Sequence, residues 1–218
     1  MKPIKLIIGN RNYSSWSLRA WFALRKSGLP FEEQRLSLFE PEFDAAIPEF
    51  SPSGKVPAII VDNQSIWDSL AVCEYLNEAT EGRLWPQDPM ARAHARSISA
   101  EMHSGFENLR AQMPMNCRAE GRRVAIDSNL QSDIDRIQAI WSDAKIRFGG
   151  LGQWLYGDFS IADAFYAPVV SRFKTYGVAT DELSSRYMEA VLTDQDLAHW
   201  YQMAGAESEV LEEEEVGR

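Results

Sequence analysis

Short apolar runs separated by turn residues fill the first third of the chain, and stretches of helical period fill the rest. Ile4–Ile8 is an apolar run of buried-strand type, followed by the turn residues Gly9, Asn10 and Asn12. Ser14, Ser15 and Ser17 then stand before Leu18, Trp21 and Phe22, an apolar face at helical spacing with Leu24 beside it. A serine hydroxyl accepts an orphan backbone N–H at a helix start, so a helix is expected over residues 17–26, ended by Gly28 with Pro30 beyond. Residues 31–36 alternate weakly and read as a second strand, joined to the first as a right-handed βαβ unit. Pro41, Pro48 and Pro52 interrupt residues 39–52, which predicts an irregular or short helical connection. Ala58–Val61, a turn at Asp62-Asn63 and Gln64–Trp67 form a hairpin, and Asp68-Ser69 caps a helix running to about Asn77.

Gly82, Pro86 and Pro89 mark residues 82–89 as a linker, after which the period changes. Ile98, Met102, Phe106, Leu109 and Met113 share one helical face, as do Leu130, Ile134, Ile137, Trp141, Ala144 and Phe148. Two long amphipathic helices are expected, separated by the polar residues 116–129. Ser160 followed by Asp163 is a variant of the capping box, with Phe159 and Ala164 at the spacing of a hydrophobic staple. Pro168 falls inside the helix so begun and is expected to kink it. Two shorter helices are expected near residues 183–192 and 194–203. The division is an α/β unit over residues 1–81, the linker, an all-helical unit over 90–206, and a tail over 207–218.

Composition narrows the class. At 218 residues, 45% apolar and 25% charged, the chain is an ordinary globular one. The formal charge is −10, of which the tail supplies −5 through six acids against one Arg. Such a tail predicts a solvated, disordered end. A net acidic body argues against nucleic acid, whose phosphates need a basic face. No apolar run approaches the ~20 residues of a membrane span, and Met1-Lys2-Pro3-Ile4 does not begin a secretory signal, so a cytoplasmic location is expected. Cys73 and Cys117 lack CxxC spacing and are expected as buried, inert thiols. His94, His103 and His199 are scattered, with no metal-ligand spacing, and no phosphate-binding glycine loop occurs.

Two helix starts carry candidate chemistry. The serines before the first helix and Asp68-Ser69 each place hydroxyls beside free N–H groups and a partial positive charge, an arrangement that favours an anion. Where a redox thioredoxin carries CxxC, this chain reads Ser14-x-x-Ser17. A hydroxyl cannot form a disulfide, so thiol–disulfide exchange there is excluded.

The order strand, serine-rich helix start, strand, helix, Val56-Pro57, hairpin and Asp68-Ser69 resembles a cytosolic glutathione transferase. The likeness is closest to serine-type classes such as zeta, whose S-S-x-S-x-R motif matches Ser14-Ser15-Trp16-Ser17-Leu18-Arg19, with Trp16 where that class has Cys. The stretch Gly157-x-x-Ser160-x-Ala162-Asp163 matches the family's folding signature in the helical half. The resemblance implies an α/β thioredoxin-like N-terminal domain followed by an all-α C-terminal domain, a cis Pro57, a homodimer, and glutathione as co-substrate without a metal. By the same resemblance Asp68 meets the glutathione ammonium group and Ser69 its γ-glutamyl carboxylate. Val56 pairs with the cysteinyl unit through its backbone, and Lys55 meets the glycyl carboxylate.

Ser14 is the first candidate for the hydroxyl that stabilises the thiolate, Ser15 the alternative and Tyr13 the third. Arg19 is expected to serve structure or add positive field. Tyr13, Trp16, Phe106, Arg110 and Met113 are candidate walls for an apolar electrophile. Arg172 resembles a zeta-class position that meets a substrate carboxylate, against the alternative of a helix-surface arginine. Three functions follow: a glutathione transferase of detoxifying type, a maleylacetoacetate-type cis–trans isomerase, or a non-enzymatic binding module.

Overall fold

The structure is a computed structural model that describes residues 3–218. Met1 and Lys2, which enter the reading of the N-terminus, lie outside the described residues. The N-terminal unit runs β1 (Ile4–Ile8), α1 (Ser15–Ser27), β2 (Phe31–Arg35), α2 (Pro41–Phe50), β3 (Ala58–Val61), β4 (Gln64–Trp67) and α3 (Ser69–Ala79). Its sheet has the order β2-β1-β3-β4. β1 pairs parallel with β2, Ile4 opposite Phe31, and antiparallel with β3, Leu6 opposite Ile59. This is a thioredoxin-like sheet, with the hairpin β3–β4 at one edge. The Val56–Pro57 bond is cis. Residues 39–52 hold a ten-residue helix, α2, because Pro41 falls in its first turn, where its missing N–H costs nothing. Pro48 lies within it.

The helical unit contains α4 (Pro89–Ser104), α5 (Glu107–Gln112), α6 (Ser128–Phe148), α7 (Ile161–Tyr176), α8 (Glu182–Leu192) and α9 (Gln195–Gly205). The first long helix expected from periodicity is two helices. Gly105 ends α4, and Phe106 takes a left-handed conformation at φ 58° before α5 begins. The apolar spacing survives the break, which is why period alone did not reveal it.

α7 is buried on every face except Lys174 and is the axis of the helical unit. Its start is fixed by Asp163, whose carboxylate accepts from Ser160 N at 2.8 Å, Ser160 Oγ at 3.0 Å and Leu155 N at 3.1 Å. Phe159 packs on Phe22 and Trp154. One core runs from β1 and α1 through α3 to α6 and α7 without a break, and α1 packs on both α3 and α7. The interface between the units is therefore continuous core, and groups on α7 are held rigidly against the start of α1.

The acidic tail differs from its expectation. It folds back along the cleft between the units and ends in a 3₁₀ turn at Glu212–Glu214. Glu207 accepts from the backbone N–H of Arg11 at 2.9 Å and of Asn12 at 3.2 Å. Arg118 donates to the carbonyls of Glu207 and Glu209. Glu215 takes Tyr13 Oη at 2.6 Å, Asn116 Nδ2 at 3.0 Å, and Arg122. The tail's acids are not left to solvent: Arg11 pairs with Glu207, Arg35 with Glu209 and Arg122 with Glu215.

Candidate active site

The cleft between the units opens into two adjoining cavities that share Trp16, Lys55 and Val56. The first, about 710 Å³, is lined by Tyr13, Ser14, Ser15, Trp16, Arg110 and Arg172 together with Leu38, Phe39, Phe43, Asp44, Leu211 and Glu214. The second, about 420 Å³, is lined by Trp16, Ser53, Lys55, Val56, Pro57, Trp67, Asp68 and Ser69.

At the start of α1 the two serines divide their tasks. Ser14 is the N-cap: its Oγ accepts from Ser17 N at 3.3 Å and donates to Ser17 Oγ at 2.7 Å. Ser17 Oγ in turn accepts from Gly9 N at 3.0 Å, tying the turn after β1 to the helix. Ser15 Oγ accepts from Arg172 Nη2 at 3.2 Å, and no acceptor takes the Ser15 proton among the described residues. Tyr13 gives its hydroxyl proton to Glu215 and receives Arg118 Nη2 at 2.9 Å. Burial and the Glu215 carboxylate push the Tyr13 phenol above its ordinary range.

Arg172 is a buried arginine, 4% exposed, so the helix-surface alternative is corrected. Its Nε donates to Met113 O at 2.8 Å and its Nη1 to Pro168 O at 3.3 Å. Burial lowers it to about 10, which leaves it charged at neutral pH. Met113 (1% exposed) and Phe106 (8%) line neither cavity. Both belong to the core, because the break at Gly105-Phe106 turns them inward; Met113 serves through its carbonyl alone.

At the start of α3, Asp68 stands at φ 73°, an uncommon conformation for a residue with a Cβ. Such strain tends to collect where ligands are held. Its Oδ1 accepts from Leu70 N at 2.8 Å, and its Oδ2 lies 3.2 Å from His103 Nε2 on α4. Burial, with Arg19 and Arg110 nearby, lowers His103 against the pull of Asp68. Ser69 is 1% exposed, and its Oγ has no hydrogen-bond partner among the described residues. A buried hydroxyl without a partner is costly, and this one retains its proton for an acceptor. Val56 lies two residues before β3, outside the ladder whose last pair is Ala58 with Trp67. Lys55 is exposed at the junction of the two cavities.

Trp16 forms the wall between the cavities. The Arg19 guanidinium lies 4.2 Å from its ring centre and Arg110 5.2 Å, while His103 meets it edge-on at 5.3 Å. Arg19 is fully buried between Trp16 and Phe165, its three nitrogens without hydrogen-bond partners among the described residues. Burial, with Arg172 and Arg110 as like charges, lowers it to about 9.

Sequence reasoning missed the wall from the α2 side, Leu38, Phe39, Phe43 and Asp44, and the wall from the tail, Leu211 and Glu214. Leu211, an apolar residue set among acids, was the available signal for the tail. Among the described residues no group of His, Cys, Asp and Glu is gathered for a metal. No helix there is long and apolar enough to cross a membrane. Cys73 and Cys117 are buried, and burial raises both thiols.

A thioredoxin-like domain with serines in place of redox cysteines, docked through continuous core on an all-helical domain, is the architecture of the glutathione transferases as a class. The family model for the glutathione S-transferase N-terminal domain matches residues 13–79. The chain is 36% identical over 174 residues to the maleylacetoacetate isomerase of Mus musculus, covering 77% of each. It is also 36% identical over 115 residues to a probable maleylacetoacetate isomerase of Caenorhabditis elegans, a match spanning about half of each (51% of this chain, 53% of that one). Among solved structures, a Burkholderia glutathione transferase homolog with bound glutathione superposes with a TM-score of 0.70 at 24% identity, covering 94% of this chain and 100% of that one. At that identity the likeness is one of fold. The chain belongs to the cytosolic glutathione S-transferase family, on its zeta-like side, and is thereby a glutathione-dependent enzyme of transferase type.

Proposed function

We propose that the protein binds glutathione along Lys55–Pro57 and Asp68-Ser69 and directs its thiolate at a small electrophile in the 710 Å³ cavity. The γ-glutamyl carboxylate takes the unpaired Ser69 hydroxyl and the N–H groups opening α3. Asp68 takes the ammonium group, Val56 pairs with the cysteinyl backbone as a strand does, and Lys55 meets the glycyl carboxylate. In this reading Ser15, not Ser14, donates to sulfur. The observation that carries it is that the Ser15 proton is uncommitted while its oxygen accepts from Arg172. The Ser14 proton is spent on Ser17 and the Tyr13 proton on Glu215.

A free thiol has a pKa near ~8.5, so most of it is protonated at neutral pH. The Ser15 O–H, the start of α1 and the Arg172 charge all favour the thiolate over the thiol. The thiolate sulfur attacks the electrophilic carbon and a C–S bond forms. In a substitution the leaving group departs with its bonding electron pair. In an addition, the adjacent atom gains the electron pair and then a proton from water. Trp16 and Phe39 supply apolar surface for the electrophile.

A second reading, glutathione-dependent isomerisation of the maleylacetoacetate type, is favoured by the two arginines in the cavity, Arg172 and Arg110, and by the names of the relatives. Turnover of maleylacetoacetate, lost in Arg172→Ala, would select it. A homodimer and a cytoplasmic location belong to the same proposal; sedimentation of the purified chain tests the first.

Thermal unfolding with and without glutathione tests the binding site. A ligand at about 100 times its Kd adds ~2.7 kcal/mol, which raises the midpoint by roughly 5–10 °C. That shift is expected in wild type and reduced in Ser69→Ala. No shift at millimolar glutathione would leave the binding-module reading in its place.

A further inference from the structure

The 710 Å³ cavity has a wall made by the acidic tail. The tail is clamped at two points. At the near point Glu207 caps Arg11 N and Asn12 N, and Arg118 holds the Glu207 and Glu209 carbonyls. At the far point Glu215, with a side chain only 7% exposed, is bonded to Tyr13, Asn116 and Arg122. Between the clamps the chain presents Leu211, 8% exposed, and Glu214 to the cavity. The Glu214 backbone is fixed by its N–H donating to Leu211 O at 2.9 Å. Its carboxylate joins no ion pair among the described residues. Burial raises it above the usual range, and the charge that opposes this is Arg172.

We infer that the tail is a fixed wall of the electrophile cavity whose Glu214 carboxylate opposes Arg172 and weakens the acceptance of electrophiles bearing a carboxylate relative to neutral ones. This rests on the glutathione reading of the cleft. The charged groups around the cavity are Lys55, Arg110 and Arg172 against Asp44 and Glu214. Arg110 lies over the Trp16 ring, where it keeps its charge, and Lys55 stands where the two cavities meet. Arg172 is the cation bonded to Ser15, and Glu214 is the cavity anion that opposes its field. A ligand carboxylate placed there meets a like charge from the tail, which disfavours it by charge repulsion. A neutral ring loses nothing by the presence of Glu214.

The test uses two product-like ligands that differ only in charge, S-(4-nitrobenzyl)glutathione and S-(4-carboxybenzyl)glutathione. Their dissociation constants are measured by calorimetry at neutral pH for wild type, Glu214→Gln and Glu213→Gln. Glu214→Gln is expected to shift the ratio of the two constants by about tenfold toward the carboxylate, the size of a partly screened interaction between nearby charges. Glu213→Gln changes an exposed neighbour that does not line the cavity and is expected to leave the ratio as in wild type. A shift below about threefold in Glu214→Gln, or an equal shift in Glu213→Gln, would overturn the inference while leaving glutathione binding intact. Absence of binding by glutathione itself in all three proteins would instead refute the reading of the cleft, and this inference with it.

Discussion

Replacing Ser14 and Ser15 by Ala, one at a time, separates two hydroxyls that sequence cannot tell apart. Ser14→Ala removes the N-cap of α1, whose Oγ accepts Ser17 N and orients Ser17. Loss of such a cap costs about 1 kcal/mol, which lowers the unfolding midpoint by roughly 2–4 °C in a chain of this size. Ser15→Ala removes no cap. It leaves the buried Arg172 Nη2 without its acceptor, a loss of about 1–3 kcal/mol, while the bonds to the carbonyls of Met113 and Pro168 remain, so the midpoint is expected to fall at least as far as in Ser14→Ala. Its further effect is on the thiol. A hydrogen bond to a charged acceptor contributes about 1.5–3 kcal/mol, equivalent to a rise of roughly one to two pKa units in bound glutathione on its removal. The assay is kcat/KM for glutathione addition to an aryl halide across pH 6–9.5. Ser15→Ala is expected to lose about tenfold to a hundredfold near pH 6.5 and only a few-fold near pH 9.5, where the thiol ionises without help. Ser14→Ala is expected to keep the wild-type pH profile. A profile displaced in Ser14→Ala and unmoved in Ser15→Ala would refute the assignment.

Three further outcomes follow from the same geometry. The Glu215 carboxylate lies below its usual range: burial raises it, but bonds from Tyr13, Asn116, Arg122 and Arg218 outweigh that. The folded state then binds this proton less tightly than the unfolded one. The stability it contributes is present above an unfolded pKa of ~4.3 and is lost as pH falls through the folded value. Tail release in acid, read by limited proteolysis after Ser208, is expected in wild type; in Glu215→Gln the tail is expected to be cut at pH 7 as well. Arg19→Met is expected to leave the midpoint unchanged or raise it, because the desolvation of an unpaired guanidinium exceeds two cation–π contacts of ~1–2 kcal/mol each; a fall of several degrees would refute this. Gly152→Ala is expected to lower the midpoint, since its added Cβ would stand 2.1 Å from Gly157 O, and such overpacking costs about 1–3 kcal/mol or more; an unchanged midpoint would count against the close approach.

What could be read from the sequence was what local chemistry encodes. β1, the hairpin β3–β4 and the starts of α1, α3 and α7 follow from apolar runs, caps and turn residues acting within a few positions. The break between α4 and α5 was not legible, because Ile98, Met102, Phe106 and Leu109 keep one periodicity across it while Phe106 changes backbone conformation. The tail was misread because charge run and solvent exposure are coupled only on average. Arg118 and Arg122, about ninety residues upstream, supply the cations that fix it. Of the candidate site, the cavity-lining residues on the thioredoxin-like side were indicated by their caps, by Val56-Pro57 and by the family resemblance. The walls from α2 and the tail carry no motif; the first arises from packing and the second from the long-range polar bonds that hold the tail.

This division has a chemical consequence. Groups proposed to hold glutathione sit at backbone features, the starts of α1 and α3 and the residues before β3, where the fold itself dictates their geometry. The groups proposed to meet the electrophile include three from separate places: Arg172 from the buried helix α7, Phe39 from the turn before α2, and Glu214 from the tail. α7 cannot shift without disturbing a fully packed core, so Arg172 is a fixed cation beside Ser15. Phe39 is 74% exposed, and the tail is held by polar bonds at its two clamps, so both can change without cost to the core. On this proposal the charge presented to an electrophile is set where substitution is tolerated, while the charge that favours the thiolate is set where it is not. Exchanging Glu214 should alter which electrophile is accepted and leave the thiol pKa of bound glutathione nearly unchanged; a shift of that pKa as large as in Ser15→Ala would show that the two functions are not separate.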